Sequence, residues 1–177
     1  MNTSELHKNL LAFDEEAFLL FGNHDVRFTV LIVGGSALLV HGYTNRATHD
    51  IDVLSAPANL ASLLKKYDIN TRVTAFIDSF PYGYKDRCIS LPITGKIVDF
   101  FTPSLEDLVV SKLYAMRQSD IEDLESQGVV NAIDWDKLDK LVYDADEALA
   151  SALSRRRYDE MVYAYEQYKE RHTLCAD

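Results

Sequence analysis

The sequence has little cysteine and lacks a long uninterrupted apolar run. Its 177 residues include two cysteines, Cys88 and Cys175, too few for a metal cage of thiolates or a disulfide-rich secreted domain. The longest apolar stretch, FTVLIVGGSALLV, is too short to cross a bilayer and contains two glycines. The first residues, MNTSELHKNLLAF, do not have the basic start and apolar core of a signal peptide. We therefore predict reduced thiols, a cytoplasmic location and no membrane partner.

Positive charge is also scarce. There are 18 Lys and Arg residues against 28 Asp and Glu residues, a formal net charge of −10, which argues against a general nucleic-acid-coating surface. Residues 104–177 carry 9 basic and 17 acidic side chains, whereas residues 1–103 carry 9 and 11. The acidic excess either serves solubility or forms a face for a basic partner protein. Bound divalent metal would offset carboxylates in the first half.

The composition, 47% hydrophobic and 11% aromatic, is typical of a globular chain with a full core. Strand patterns are concentrated in residues 1–103 and helical patterns begin at Ser104. We predict an α+β (mixed α/β) fold, with a small mixed sheet flanked by helices over residues 1–103. A helical region over residues 104–177 is expected to pack on this core as one compact unit.

Hydrophobic periodicity predicts the individual elements. The first helix is expected to begin after Ser4 as its N-cap and to bury Leu6, Leu10, Phe13 and Phe18. Phe28–Gly35 is predicted to be a buried strand, because its apolar run is continuous. A short helix opened by Ser36, the strand DIDVLSA, a helix after Pro57, and a hairpin of DRCISLPIT with IVDFFTP are expected next. The last helix is predicted over residues 151–172.

Three aspartates are placed on predicted strands. Asp50 and Asp52 flank one isoleucine, so they share a strand face, where like charges repel unless a cation or a shared proton compensates. Asp99 lies in the apolar segment KIVDFFTP, where an unpaired carboxylate is costly to bury. If the strands align, the three carboxylates should lie within roughly 4–6 Å of one another and bind one or two Mg²⁺ or Mn²⁺ ions. Two such ions stabilise the attacking and leaving oxygens of phosphoryl transfer.

A small-residue turn, Gly34-Gly35-Ser36, follows the apolar strand and precedes the acidic pair. Glycines let the backbone approach a phosphate closely, and Ser36 would add a hydroxyl to the N–H groups of a helix start. Alone, this motif could be a plain turn, and Asp-x-Asp could be a solvated strand edge. Together they favour a site where the phosphates of a nucleoside triphosphate bridge the turn and a bound metal ion.

These residues resemble the nucleotidyltransferase (polymerase-beta-like) superfamily, with its Gly-Gly-Ser turn, Asp-x-Asp pair and later single aspartate. The form GGSALLVHGYTNRATHDIDV followed by SLEDLVVSKLYAMRQSDIEDL is similar to the AbiEii/MenT-like branch, found as toxins of bacterial toxin–antitoxin and phage-defence systems. The resemblance covers about residues 28–125. It implies a nucleotidyltransferase-like fold, transfer of a nucleoside monophosphate from an NTP to RNA, with tRNA 3′ ends as acceptors, and a cognate antitoxin as a protein partner.

The same branch has a downstream helix carrying a lysine, an arginine and an Asp-x-x-Asp segment, matched here by Lys112, Arg117, Asp120 and Asp123. Lys112 falls inside the apolar stripe of its helix, so its amine needs a partner. That partner is Asp120, Asp123 or a nucleotide phosphate, unless the amine extends to solvent while its stem packs. The resemblance therefore implies a catalytic Lys112 and a nucleotide contact at Asp120 and Asp123.

Other residues leave alternatives open. Arg46 could reach a phosphate across the same cleft or lie on a surface loop. The cluster Arg155 to Arg157 could contact phosphate or simply be solvated. His41 and His49 lack the spacing of metal ligands and are interpreted as structural. Besides the RNA-modifying toxin, the fold allows transfer to a small hydroxylated compound such as an aminoglycoside or lincosamide, which the acidic charge suits. A catalytically silent or antitoxin-like binding protein is the third hypothesis, and the intact aspartate set weighs against it.

Overall fold

The computed structural model describes residues 1–22 and 25–173, and the strands in these ranges form a five-stranded mixed sheet. The spatial order is β3-β2-β1-β5-β4. The pairs β1–β2 and β4–β5 are antiparallel, whereas β1–β5 and β2–β3 are parallel. The strands are β1 (Phe28–Val33), β2 (Ile51–Ser55), β3 (Ile69–Asn70), β4 (Ile89–Thr94) and β5 (Val98–Thr102). The predicted fold class, a mixed sheet flanked by helices with a C-terminal helical region, is confirmed.

The central strand β1 is the most deeply buried part of the sheet. Val30 and Ile32 are fully buried, which agrees with the continuous apolar run that predicted this strand. The strand ends at Val33, and the chain turns directly into helix α2 (Gly34–Val40). Gly34 has a φ of +68°, in the left-handed region that glycine adopts without a Cβ clash. The turn at the end of β1 therefore requires glycine at this position.

The first helix, α1 (Thr3–Phe21), begins earlier than predicted. Its N-cap is Asn2 and not Ser4, because the Asn2 side chain accepts a hydrogen bond from the Glu5 N–H while the Glu5 carboxylate accepts from the Asn2 N–H. This reciprocal capping box satisfies two backbone donors at once. Leu6, Leu10 and Phe13 are buried as expected, but Phe18 is 39% exposed.

The helix after Pro57 consists of a 3₁₀ turn, Ala58–Leu60, followed by α3 (Ala61–Lys66). Helix α1 contacts both α2 and α3, and α2 contacts β1. These helices form one compact unit with the sheet, made of residues 1–75 and 88–103.

The second unit consists of residues 76–87 and the chain from Ser104 onward. Helix α4 contacts both α7 and α9, and the buried Leu113, Leu138 and Tyr165 contribute to the interior. The predicted helix over residues 151–172 is interrupted at residues 152–154. The helices are α4 (Leu105–Ala115), α5 (Gln118–Leu124), α6 (Gln127–Ala132), α7 (Trp135–Tyr143), α8 (Ala148–Ser151) and α9 (Arg155–Thr173).

Residues 76–87, which the sequence analysis assigns to the core of residues 1–103, group with the helical unit because of Arg87. Its guanidinium donates to both carboxylate oxygens of Asp107 and to Glu147, with Nη1 2.7 Å from Glu147 Oε1. Asp107 is fully buried and also accepts from the Ser104 hydroxyl at 2.6 Å. Burial alone would lower the pKa of Arg87, but these hydrogen bonds raise it, so the guanidinium stays charged. The network joins the segment 82–87 to α4 and α8.

No helix within residues 1–22 and 25–173 is both long and apolar enough to span a bilayer. Cys88 is half-buried just before β4. Cys175 lies outside the described residues, so the predicted state of both thiols stays a prediction.

The β4–β5 hairpin is attached to α1 through a buried carboxylate. Asp14 is 2% exposed and accepts three backbone hydrogen bonds, from Lys96 at 2.6 Å, Ile97 at 3.0 Å and Val98 at 2.8 Å. A Cβ at Gly95 would lie 2.2 Å from the Val98 carbonyl oxygen, so only glycine fits at this turn. One side chain thus satisfies three backbone N–H groups.

We expect Asp14→Asn to lower the free energy of unfolding by about 1–3 kcal/mol, because its amide would turn a donor toward a buried backbone N–H. The midpoint of urea unfolding, followed by circular dichroism, measures the loss. Glu15→Gln is the control, since the neighbouring Glu15 carboxylate is about half exposed and pairs with Lys96 at the surface. Equal midpoints for the two variants would contradict this role of Asp14.

Candidate active site

The acidic pair lies beside the glycine turn because of how β1 pairs with β2. The antiparallel register places Asp52 opposite Val33, the last residue before the turn. A Cβ built at Gly34 would be 2.8 Å from Oδ2 of Asp52, so a side chain there would displace the carboxylate. Gly34 is therefore needed for its backbone conformation and for the space it leaves to Asp52.

The Asp52 carboxylate is oriented by a residue that the sequence analysis missed. Asn70, on β3, donates from Nδ2 to Oδ1 of Asp52 at 2.8 Å, and the two residues are partners in the parallel ladder of β2 and β3. Oδ1 of the Asn70 side-chain amide accepts a hydrogen bond from the Arg72 backbone N–H at 3.0 Å. A two-residue strand is too short to produce a recognisable pattern, so nothing in the sequence pointed to Asn70.

Asp50 lies just before β2 and is exposed to solvent. Its backbone carbonyl accepts a hydrogen bond from the Thr48 hydroxyl at 3.0 Å, which constrains the approach to β2. Its carboxylate forms no hydrogen bond or ion pair with any of the described residues. Asp50 thus presents a solvent-facing carboxylate two residues from Asp52.

Asp50 also lines an open groove of about 1540 Å³. The groove runs along β2 and β3 and is bounded by α3 and the start of α1. Of the predicted site residues, Asp50 is the one that lines it. The charged side chains of the groove are Glu5, Asp50, Lys65, Asp68 and Arg72.

The prediction that Asp99 joins Asp50 and Asp52 in one metal site is wrong. Asp99 on β5 pairs with Thr29 of β1, whereas Asp52 pairs with Val33. Four residues along β1 correspond to about 13 Å, and β1 itself separates β2 from β5. Among the described residues, no group of three or more His, Cys, Asp and Glu side chains is close enough to hold a metal ion.

Asp99 is instead the partner of Arg27. The Arg27 guanidinium donates to both carboxylate oxygens, with Nε 2.7 Å from Oδ2, and donates to the Lys96 carbonyl at 3.1 Å. The hydrogen bonds from Arg27 lower the pKa of Asp99. Extending the β1–β5 register by two residues brings Pro103, not an acidic residue, level with Val33 and Asp52.

Of two other predicted nucleotide contacts, the Ser36 hydroxyl has different surroundings from those expected, whereas Arg46 lies in a loop, as one of its two alternatives had it. Ser36 is 1% exposed and its hydroxyl donates to the Val33 carbonyl at 2.9 Å, so it does not extend toward a ligand. Its neighbour Gly35 is the second residue of α2. Arg46 is half-buried in the loop before β2, and its backbone N–H donates to the Thr44 hydroxyl at 3.1 Å. A phosphate contact by Arg46 stays a prediction.

Lys112 lies in the helical unit and is 5% exposed, which excludes an amine that extends to solvent. Its Nζ is 2.7 Å from Oδ2 of Asp123 and 3.1 Å from Oδ1 of Asp120. Asp120 also accepts from Arg117, with Nε 2.7 Å from Oδ2. The carboxylate partners that the spacing indicated are therefore present, and they already balance the charge of the ammonium. The catalytic role of Lys112 and the nucleotide contacts of Asp120 and Asp123 stay predictions.

The electrostatics of Asp120 follow from this pairing. Burial alone would raise its pKa, but hydrogen bonding to Arg117 and the charge of Lys112 lower it below the usual range. A carboxylate with a lowered folded-state pKa stabilises the protein above its unfolded pKa. That contribution is lost as the pH falls through the folded value. The contribution of Asp120 is therefore fully present at neutral pH.

The remaining candidates are engaged in local contacts. Arg155 and Arg156 form i,i+4 ion pairs with Asp159 at 2.8 Å and Glu160 at 2.9 Å, on the exposed face of α9. His41 is half-buried and stacks on Tyr43 with ring centroids 5.4 Å apart, and burial lowers its pKa. These contacts agree with solvated charge for the arginines and a structural role for His41.

Comparison with known proteins supports the resemblance at the level of the superfamily. Residues 8–173 match a family model described as "Nucleotidyltransferase of unknown function (DUF6036)". This match does not point to the AbiEii/MenT branch. No curated protein and no solved structure matches the chain.

We expect Lys112→Met to lower the free energy of unfolding by about 3–5 kcal/mol, because it removes the ammonium that two buried carboxylates share. The midpoint of urea unfolding measures the effect, and Lys140→Met, on the exposed face of α7, is the control. Adding Asp123→Asn to Lys112→Met removes one of the two buried negative charges and should recover part of the loss. If Lys112→Met is as stable as the wild type, the buried ion pairs do not stabilise this unit.

Proposed function

The chain belongs to the nucleotidyltransferase family DUF6036, and from this premise we propose that it transfers a nucleoside monophosphate from an NTP to an RNA acceptor. Asp50 and Asp52 would hold a divalent metal ion for this reaction. The observation that carries the proposal is the position of the Asp52 carboxylate against the glycine turn at Gly34, two residues from the solvent-facing Asp50.

The chemistry of these donors fits a hard divalent cation. Two aspartate carboxylates supply oxygen ligands of the kind that Mg²⁺ and Mn²⁺ prefer, and water and substrate phosphates complete such sites. Asp52 is oriented by Asn70, while Asp50 is free of partners among the described residues. A cation bound there would offset the repulsion of the pair and the negative charge of phosphate oxygens.

The backbone at Gly34 and Gly35 provides the phosphate contact in this proposal. Gly34 and Gly35 are partly exposed and carry no side chain of their own, so a triphosphate can approach the N–H groups of the turn. Ser36 contributes through its backbone, since its hydroxyl is bonded to Val33. Lys112, Asp120 and Asp123 take no chemical step in this proposal, because the Lys112 ammonium is already hydrogen-bonded to both carboxylates.

The reaction is an in-line displacement at the α-phosphorus of the NTP. An acceptor hydroxyl oxygen forms the new bond to phosphorus, and the bond between this phosphorus and the bridging oxygen of the β-phosphate breaks. Pyrophosphate leaves, and the proton of the acceptor hydroxyl passes to solvent. Asp50 and Asp52 set the position of the α-phosphate relative to the acceptor.

The groove beside Asp50 suits an acceptor that carries phosphates. Lys65 and Arg72 line it and form no ion pair with any described residue. The acidic residues offset them only in part, since Glu5 is used in the capping box of α1 and Asp50 would be neutralised by the metal ion. Two unpaired cations remain available for the phosphodiester backbone of RNA.

The resemblance to the AbiEii/MenT-like toxins supports tRNA 3′ ends as the acceptor. It also suggests growth arrest in a toxin–antitoxin or phage-defence system as the biological role, with a cognate antitoxin as the partner. The second candidate acceptor is a cationic small molecule with a free hydroxyl. The net charge of −10 and Asp68 in the groove favour that candidate.

The purified chain, incubated with each labelled NTP, Mg²⁺ and total RNA, should label RNA in a reaction that a chelator stops. Asp50→Asn and Asp52→Asn should each slow the transfer at least about a hundredfold, because each weakens binding of the metal ion that would stabilise the charge of the reacting phosphate. Asp99→Asn is the matched control and should keep the wild-type rate, since Asp99 pairs with Arg27. Loss of transfer in the Asp99 variant alone would refute the assignment. Labelling of an aminoglycoside in place of RNA would favour the second acceptor.

The groove is tested by the salt dependence of RNA binding. In the Lys65→Ala/Arg72→Ala variant, tRNA should bind more weakly, and the slope of log affinity against log salt should fall by about two. Fluorescence anisotropy at several salt concentrations gives both values. Lys140→Ala, which removes an exposed lysine outside the groove, is the control. A slope equal to that of the wild type would exclude this groove as the RNA site.

A further inference from the structure

Strand β3 consists of only Ile69 and Asn70, yet it lies next to Asp52 on the sheet edge. The chain reaches this place through α3 and a left-handed residue, Asp68, with a φ of +56°. Ile69 is buried opposite Ile51, which fixes the register of the short strand. The consequence of this register is that Asn70 becomes the direct neighbour of Asp52.

The orientation of the Asn70 amide follows from its two hydrogen bonds. The Arg72 N–H is a donor only, so the amide atom that it contacts at 3.0 Å must be the carbonyl oxygen. The NH₂ group is then directed toward Asp52, whose carboxylate can only accept. The network therefore permits one orientation of the amide.

The two oxygens of Asp52 consequently have different surroundings. Oδ1 accepts from Asn70, whereas Oδ2 is the atom nearest to the position of a Cβ at Gly34, 2.8 Å away. Rotation of the carboxylate about its Cβ–Cγ bond would break the hydrogen bond to Asn70. Asn70 thus holds Oδ2 on the side of the glycine turn.

We propose that Asn70 is a positioning residue that pre-orients Asp52 and thereby raises the affinity of the Asp50 and Asp52 pair for a divalent cation; this inference rests on the proposed function. The pair is asymmetric. Asp52 is oriented before the cation binds, while the exposed Asp50 is recruited by it. Residues that hydrogen-bond to a metal ligand without contacting the metal contribute about 10- to 100-fold to metal affinity or activity.

The test measures Mn²⁺ binding to the full chain without any nucleotide, from the electron paramagnetic resonance signal of free Mn²⁺. We expect Asn70→Leu, which keeps the size of the side chain and removes the amide, to raise the Kd for Mn²⁺ at least about tenfold. Asn9→Leu is the matched control, because Asn9 also lines the groove but its amide contacts the sulfur of Met1. Asn70→Ala removes the same amide without adding apolar bulk, should the leucine variant not fold. Urea unfolding of each variant separates a loss of affinity from a loss of stability.

The arms of the experiment separate the inference from the proposed function. If the wild type binds Mn²⁺ in a way that Asp52→Asn abolishes, while both Asn70 variants bind as tightly as the wild type, the role of Asn70 is refuted and the metal site stands. If the Asn70 variants lose stability in urea but keep their Mn²⁺ affinity, Asn70 is merely structural and the inference again fails. If the wild type does not bind Mn²⁺ at all, the proposed metal site and the role of Asn70 are both refuted.

Discussion

The antiparallel pairing of β1 with β2 is the constraint on which the candidate site depends. The pairing places Asp52 opposite Val33, so an acidic side chain lies beside the only residue type that tolerates both the φ of +68° and the close carboxylate at position 34. The apolar run of β1 stabilises this arrangement from the core side, because its buried side chains resist any change of register. The proposed phosphate contact and the proposed metal site therefore both depend on the packing of a single strand.

Most of the buried carboxylates have specific partners that satisfy them. Asp14 accepts three backbone N–H groups, Asp107 is paired with Arg87, and Asp120 and Asp123 share Lys112. Taking a charged group out of water costs several kcal/mol, and each of these arrangements compensates that cost. Asp50 differs from them because it is exposed and makes no such contact with the described residues. This difference separates residues that stabilise the fold from one that is available to a ligand.

The strong acidity of the chain and a nucleic-acid acceptor are compatible if binding is local. The acidic excess is concentrated in residues 104–177, and several of those carboxylates are neutralised by neighbouring Lys or Arg side chains. The groove beside Asp50 is lined by Lys65 and Arg72, and neither side chain forms an ion pair with a described residue. An acceptor end bound there would contact few phosphates, which predicts modest affinity with a small salt dependence.

The sequence by itself determined the buried strand β1, the β4–β5 hairpin and the inward position of Lys112, because continuous apolar runs and helical spacing are local properties of the chain. It also indicated that Asp52 and the glycine turn are parts of one site. Only the tertiary structure decided that Asp99 is remote from this pair, that Ser36 turns its hydroxyl inward, and that Asn70 is the partner of Asp52. A strand period of two specifies which face a residue occupies but not its level relative to a neighbouring strand. That level is set by pairing between segments far apart in the chain, which no local pattern encodes.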